Sequence, residues 1–287
     1  MLNPTRLEAR IDSRARRLLA RAPQTGWRGV AVEFAVFVAK QAWACVFGAA
    51  LLVAIMLVRV LYPDDLLLTR NDLLTLIAIA IQIIMLATRL EAGREVWVIV
   101  LFHITGTVME VFKTDVGSWE YDAGGVLRIA GVPLFSGFMY AAVGSYLVRV
   151  YRLFDLGFVR YPPVWATALV AGAIYANFFT HHWIWDLRWV LTVIVVLLWG
   201  ATVMHARVWR RTIRLPLIPV FLGVAVFIWI AENIGTRFGA WQYPDQADGW
   251  QLVSLSKLSS WGLLMIISVV LVTFVYPPRP PLVRPRP

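Results

Sequence analysis

Cysteine, histidine and charge are all scarce in this sequence. The one cysteine, Cys45, lies inside an apolar run, which excludes an intrachain disulfide and a multi-cysteine metal site. No HExxH pair or histidine cluster is present, and "HHWIWD", His181 to Asp186, is a weak metal signal, so no metal and no cofactor is predicted. A Walker loop, a Rossmann fingerprint and a nucleophile elbow are missing too, so phosphate-driven transport and ordinary hydrolase chemistry are not indicated. Charged residues make up 15% of the chain against 60% hydrophobic, with 14 Trp in 287 residues, which is too apolar for an ordinary soluble domain. An integral membrane protein is the expectation.

The net charge is +10, but basic and aromatic residues are not interleaved on a soluble face. Membrane proteins collect Lys and Arg in cytoplasmic loops, so no nucleic-acid partner is predicted and membrane lipids are. Nothing before residue 29 resembles a cleavable leader, so the first apolar run is expected to stay in the membrane.

A crossing helix needs about 20 mostly apolar residues. That measure predicts an all-α membrane protein with eight spans, near 33–59, 72–89, 96–113, 131–149, 163–181, 187–206, 216–235 and 252–275. Nineteen Lys or Arg fall on the side of both termini and six on the other, which places both termini in the cytoplasm. Residues 1–28 read as a basic amphipathic helix with a capping box at Thr5 and Glu8 and an apolar stripe of Leu7, Ile11, Ala15, Leu18 and Ala22. Such a helix either lies on an anionic membrane surface or merely sets topology. Residues 276–287 are Pro-rich and basic and are expected to form an extended, mobile tail.

Two stretches repeat one pattern. "EVFKTDVGSWEY", Glu110 to Tyr121, and "ENIGTRFGAWQY", Glu232 to Tyr243, share E-x-x-x-T-x-x-G-x-W-x-Y at a shift of 122 positions. The same shift aligns Trp43 with Trp165 and Asp64 with Asp186 and maps the first four spans onto the last four. A parallel four-plus-four duplication is predicted, residues 29–150 and 151–275, with the halves related about the membrane normal. Small residues Gly137, Ala141 and Gly144, and Ala168, Gly172 and Ala176, mark faces for close helix packing.

Glu110, Glu232, Asn177, His181 and Lys257 fall at one depth, each about a turn inside its span. Charges there must face the bundle interior and find partners, so Lys257 is expected to pair with one glutamate and leave the other over. A buried carboxyl without a charged partner is able to hold and donate a proton. His103, two turns below Glu110 on a face with Gly106, Thr107 and Thr114, is either a proton relay or a hydrogen-bonding anchor. The predicted acid–base set is therefore Glu110, Glu232, His103 and Lys257, and the predicted binding set is Trp119, Tyr121, Trp241, Tyr243, Asn177 and His181.

The stretches "TGTVMEVFKTDVGSWEY", "GVPLFSGFMY", "AENIGTRFGAWQYP" and "SKLSSWG" resemble the bacterial multispanning membrane family known as domain of unknown function 817, over nearly the whole chain beyond the N-terminal helix. That resemblance implies a multi-pass protein of the bacterial inner membrane and no particular activity. Glu110, Gly117, Tyr121, Gly131, Val132 and Pro133 are also similar to a pattern in membrane carotenoid hydratases and lycopene cyclases, without the hydratases' proline and phenylalanine in the turn. This second resemblance implies acid-catalysed work on an isoprenoid or polyene. Three functions stay open: an intramembrane enzyme on a hydrophobic small molecule or lipid, a proton-coupled carrier or lipid-handling transporter, and a structural or partner-binding protein.

Overall fold

The computed structural model describes residues 5–20, 23, 25–63, 66–91 and 93–281. Ten α-helices follow in order among them: α1 (Arg6–Leu19), α2 (Gly26–Ala44), α3 (Val46–Leu61), α4 (Arg70–Ala87), α5 (Arg94–Asp115), α6 (Phe135–Leu153), α7 (Val164–Thr180), α8 (Arg188–Trp199), α9 (Leu217–Arg237) and α10 (Lys257–Val275). Short strands join them: β1 (Arg128–Ile129) with β2 (Val132–Pro133), and β3 (Gly157–Val159), β4 (Val203–Arg207) and β5 (Thr212–Pro216) in one antiparallel sheet.

Helices α4, α5, α9 and α10 are long and apolar enough to cross a membrane, and the pair α2–α3, bent by 64° at Cys45, adds a fifth where the two are taken as one span. α7 and α8 are apolar but shorter. Large apolar side chains such as Leu57, Ile83, Leu169, Leu197 and Leu222 stand exposed on these helices, a surface suited to hydrocarbon.

The expected sixth span is cut short. α8 stops at Trp199, and the apolar-looking continuation Val203–Arg207 is a strand in which burial alternates residue by residue. The fold is thus not purely helical. Lys40 secures this hairpin, its ammonium donating to the Leu153 carbonyl at 2.7 Å and to the Arg207 and Val208 carbonyls.

Loops sort into two ends. At the motif end the Glu110 and Glu232 segments meet, Lys113 reaches His182 at 2.8 Å, and the Asp72 carboxylate accepts from the Val126 and Leu127 amides. At the hairpin end lie the β3–β4–β5 sheet, α1 and the chain following α10. α5 and α9 each begin at the hairpin end, where Glu95 meets Arg152 and the Leu217 amide bonds the Thr202 carbonyl, and each leads into the paired segments at the motif end. The packing repeats as well, since α3, α4, α5 and α6 touch one another as α7, α8, α9 and α10 do: α5 on α6 and α9 on α10, α3 on α4 and α7 on α8, α3 on α6 and α7 on α10.

Of the two small-residue stripes and the tail, two expectations need correction. The stripe of Gly137, Ala141 and Gly144 does face α5, where a Cβ on Gly137 would stand 2.7 Å from His103 and one on Gly144 2.9 Å from Phe102. The stripe on α7 does not pack, because Gly172 and Ala176 are exposed and nothing lies within 4 Å of a Cβ on Gly172. The tail is extended but docked through residue 281: the Phe158 amide donates to the Arg279 carbonyl at 2.8 Å, Tyr151 donates to the Pro277 carbonyl at 3.1 Å, and Gly157 leaves room for Pro281. Ala22, Asp64 and residues 282–287 lie outside the described residues, as does the side chain of Leu18.

Candidate functional site

Each motif ends its helix in the same way. Gly117 and Gly239 adopt φ +70° and +66°, a left-handed conformation that glycine enters without a Cβ clash. The Ser118 amide then bonds the Lys113 carbonyl at 2.8 Å, and the Ala240 amide bonds the Gly235 carbonyl at 3.0 Å, in matching Schellman caps. Past the caps the chains pair antiparallel at Glu120 and Gln242, each amide donating to the other's carbonyl at 2.9 and 3.0 Å. These two residues hold the same place in their motifs, so the contact is self-complementary, as across a twofold axis.

This turn sends the aromatic side chains back onto the acids. The Glu110 carboxylate is 4% exposed and accepts three neutral donors: Trp119 Nε1 and Tyr121 Oη at 2.8 Å on one oxygen, and Tyr140 Oη at 2.8 Å on the other. The Glu232 carboxylate is 3% exposed and accepts from Tyr243 Oη and, at 2.6 Å, from Trp261 Nε1. Tyr121 and Tyr243 thus act alike on their own glutamates. Trp241 differs from Trp119, its ring lying in the space a Cβ on Gly235 would need.

The expected ion pair is not formed. Lys257 pairs with neither glutamate, and its ammonium stands instead over the rings of Tyr243, at 4.1 Å, and Trp119, at 6.0 Å. The reason is geometric: indole and phenol donors already occupy both oxygens of each carboxylate, and the lysine rests on the rings of two of those donors, Tyr243 and Trp119. Lys113, 4% exposed, likewise lacks a carboxylate and turns to His182 Nε2 at 2.8 Å and the Phe178 ring at 4.3 Å. Burial, then the Lys113 charge, holds the His182 imidazole below its ordinary pKa, so the neutral ring is the form that accepts from the ammonium.

A cavity of about 570 Å³ lies among α3, α5, α6, α7, α9 and α10. Glu110, Glu232, Lys113, Lys257 and Arg188 bound one part, and Leu51, Ile55, Met139, Ile174, Phe227 and Leu264 the rest. Trp119, Tyr121, Trp241, Tyr243, Asn177 and His181, the predicted binding set, all face it. Asn177 also joins the adjoining loop, donating to Asp186 at 3.2 Å and accepting from the Leu187 amide at 2.9 Å. Burial raises the Asp186 pKa, but the Arg188 amide, Asn177 and the Arg188 guanidinium at 2.6 Å outweigh it, and the carboxyl stays below its usual range.

His103 does not belong to this cavity. Its ring packs edge-on against Phe138, centroids 4.8 Å apart, and covers Gly137. The space above it is filled too, because a Cβ on Gly106 would run into the Tyr140 ring. Gly106→Ala should therefore push Tyr140 off Glu110 and cost about 1–3 kcal/mol, read as a lowered Tm in detergent. An unchanged Tm would mean that the ring moves freely.

Three participants were not singled out from the sequence. Tyr140 and Trp261 come from neighbouring helices, and Lys113 looked like a boundary charge although it sits one turn after Glu110 on the same face.

Apolar helices of membrane type surrounding a cavity with two glutamates held by neutral donors define the class: a helical protein of membrane character with a polar pocket inside. The chain matches, over residues 33–269, the family described as "Protein of unknown function (DUF817)", and it belongs to that family. The uncharacterized protein YoaT of Bacillus subtilis (strain 168) is similar to it, 42% identical over 233 residues that cover 81% of this chain and 88% of that one. No solved structure matches.

Proposed function

We propose that this is an eight-crossing, internally duplicated protein of the bacterial inner membrane that binds a hydrophobic small molecule and carries out acid–base chemistry on it at Glu110, with Glu232 as the partner acid. The observation that carries the reading is the cavity itself: both motif glutamates bound it, and apolar side chains make up most of its wall. A purely structural role needs no such space.

Glu110 is the working acid in this reading because it gathers donors from α6 and from the segment that joins α5 to α6, which fix the carboxyl relative to a ligand. Isoprenoid-like chains suit the apolar wall. A carrier that relays protons through His103 is less well supported, since His103 lies apart from the cavity.

Duplication is supported by the matched caps, the Glu120–Gln242 contact and the repeated helix packing. Eight crossings are supported by helix ends that alternate between the two ends, with α7 and α8 as short spans. Reporter fusions at Asp122 and Asp248 should report the outer side and fusions at Phe158 the inner side; a cytoplasmic Asp248 fusion removes this topology.

For the chemistry, lipid extracts of cells with the gene, without it and with Glu110→Gln should be compared by mass spectrometry. The Gln variant should fold, occupy the membrane and give the extract of the deletion. A fully active variant would leave Glu110 as a polar anchor between helices.

A further inference from the structure

The buried lysines point to the ligand's charge. Lys113 and Lys257 both bound the cavity, and neither touches a carboxylate. Arg188, the third cation on that wall, is committed to Asp186 at 2.6 Å. On the acidic side Glu110 and Glu232 are held by phenol and indole groups, which carry no charge of their own. Two ammonium groups and two carboxyl groups therefore share one small space without contact, and they balance only while both carboxyls are ionised.

Acid chemistry at Glu110 upsets that balance. The inference rests on the reading above: a Glu110 that holds the proton it will donate leaves one ammonium without a counter-charge in a weakly polar space, which is costly. A ligand that brings its own negative charge restores neutrality. We propose that the cavity takes an amphiphile with an anionic head, a phosphate or a carboxylate, seated at Lys113 and Lys257, with its chain along Leu51, Ile55, Ile174 and Phe227. The volume, about 570 Å³, lies in the range of small-molecule pockets, roughly 300–1,000 Å³, and suits a head with one chain rather than an entire two-chain phospholipid.

Rings hold both lysines in readiness. The face of Tyr243 lies under Lys257 and that of Phe178 near Lys113, contacts that steady an ammonium group without using its N–H donors; Lys113 spends one donor on His182 and keeps two for an incoming oxygen. A neutral chain gains nothing from either lysine.

Equilibrium binding of farnesyl phosphate, farnesoic acid and farnesol to the full-length protein in nanodiscs separates the cases, because the three share one chain and differ in the head. The phosphate or the acid, or both, should bind at least about tenfold more tightly than the alcohol, the worth of one charge-assisted hydrogen bond, and whichever binds more tightly identifies the head. Lys257→Met and Lys113→Met should each remove about that factor for the anionic ligand and leave farnesol unchanged, and Lys257→Arg, which keeps the charge should Lys257→Met fail to fold, should retain binding. Equal binding of the alcohol, or unchanged binding of the anion by a folded Lys257→Met, overturns the anionic head and leaves the cavity reading standing. If none of the three binds, the cavity does not take an isoprenoid chain, and both readings fall.

Discussion

Replacing Glu110 by leucine should destabilise the protein by about 3 kcal/mol or more, whereas Glu110→Gln should cost about 1 kcal/mol or less. Leucine leaves the Trp119 indole and the Tyr121 and Tyr140 hydroxyls without an acceptor, all three aimed at one buried point. Each orphaned buried donor costs about 1–3 kcal/mol. Glutamine keeps an acceptor oxygen where Trp119 and Tyr121 converge, and its amide nitrogen replaces the oxygen that faces Tyr140, whose hydroxyl turns to accept. Thermal unfolding in detergent distinguishes the two variants. Similar losses for both would mean that the negative charge, rather than the acceptor geometry, holds the motif end together, and the neutral donors would then need another explanation.

That contrast also shows why the acids were legible in the sequence and their full surroundings were not. A glutamate inside an apolar run is conspicuous, and its recurrence after 122 residues with Thr, Gly, Trp and Tyr at fixed offsets marks a unit. The tyrosine at offset eleven meets its acid because the glycine cap turns the chain back over its own helix, which is a local event. Tyr140 and Trp261 are not local: they lie 30 and 29 residues from their glutamates on adjoining helices. The shift of 122 would place the equivalent of Tyr140 at Gly262, one residue beyond Trp261, so the repeat does not expose them either.

Lys257 failed for a related reason. Depth placed it beside the glutamates correctly, since its ammonium stands over the donors of both. Depth carries no information on whether a carboxylate is already held, so it predicts an ion pair where neutral donors occupy both oxygens of each acid. The boundary of α8 was lost because Val203–Arg207 reads as apolar in a sliding window, while its alternating burial belongs to a strand. At the hairpin end, charges were counted for their sign alone. That count cannot say which of them are solvated and which are buried with partners.

The buried set there carries the second large effect. Arg152, on the last turn of α6, binds Glu8 of α1 at 2.8 Å and Glu95 of α5, and all three are buried. Beside it Arg149 faces Glu91 at 3.6 Å, and Glu91 also accepts from Ser145 and from Gln82 at 2.7 Å. Glu8 has two tasks, closing the α1 capping box at Thr5 with one oxygen and meeting Arg152 with the other. α1 is therefore tied to the bundle by its acid, although Leu7 and Ile11 remain exposed on it. Arg152→Met should leave two carboxylates buried without a cation, cost about 3–5 kcal/mol and open the arginines of α1 to trypsin. Adding Glu8→Gln and Glu95→Gln should restore part of the loss, because glutamine still serves a capping box and neither amide carries charge. Strictly additive losses would show that the three do not act together. Acid should release α1 in the same way. Burial raises the Glu8 pKa, but the Arg152 charge and hydrogen bond, the Thr5 amide and Trp43 together hold it below the ordinary value of 4.5. A carboxyl depressed in the folded state contributes stability above its unfolded pKa and loses it as pH falls through the folded one. Amide protection of α1 should accordingly be unchanged from neutral pH to about pH 5 and fall below about pH 4. Protection that survives acid in the native protein yet is lost in Arg152→Met would assign the hold on α1 to the Arg152 side chain's packing rather than to the ionised Glu8.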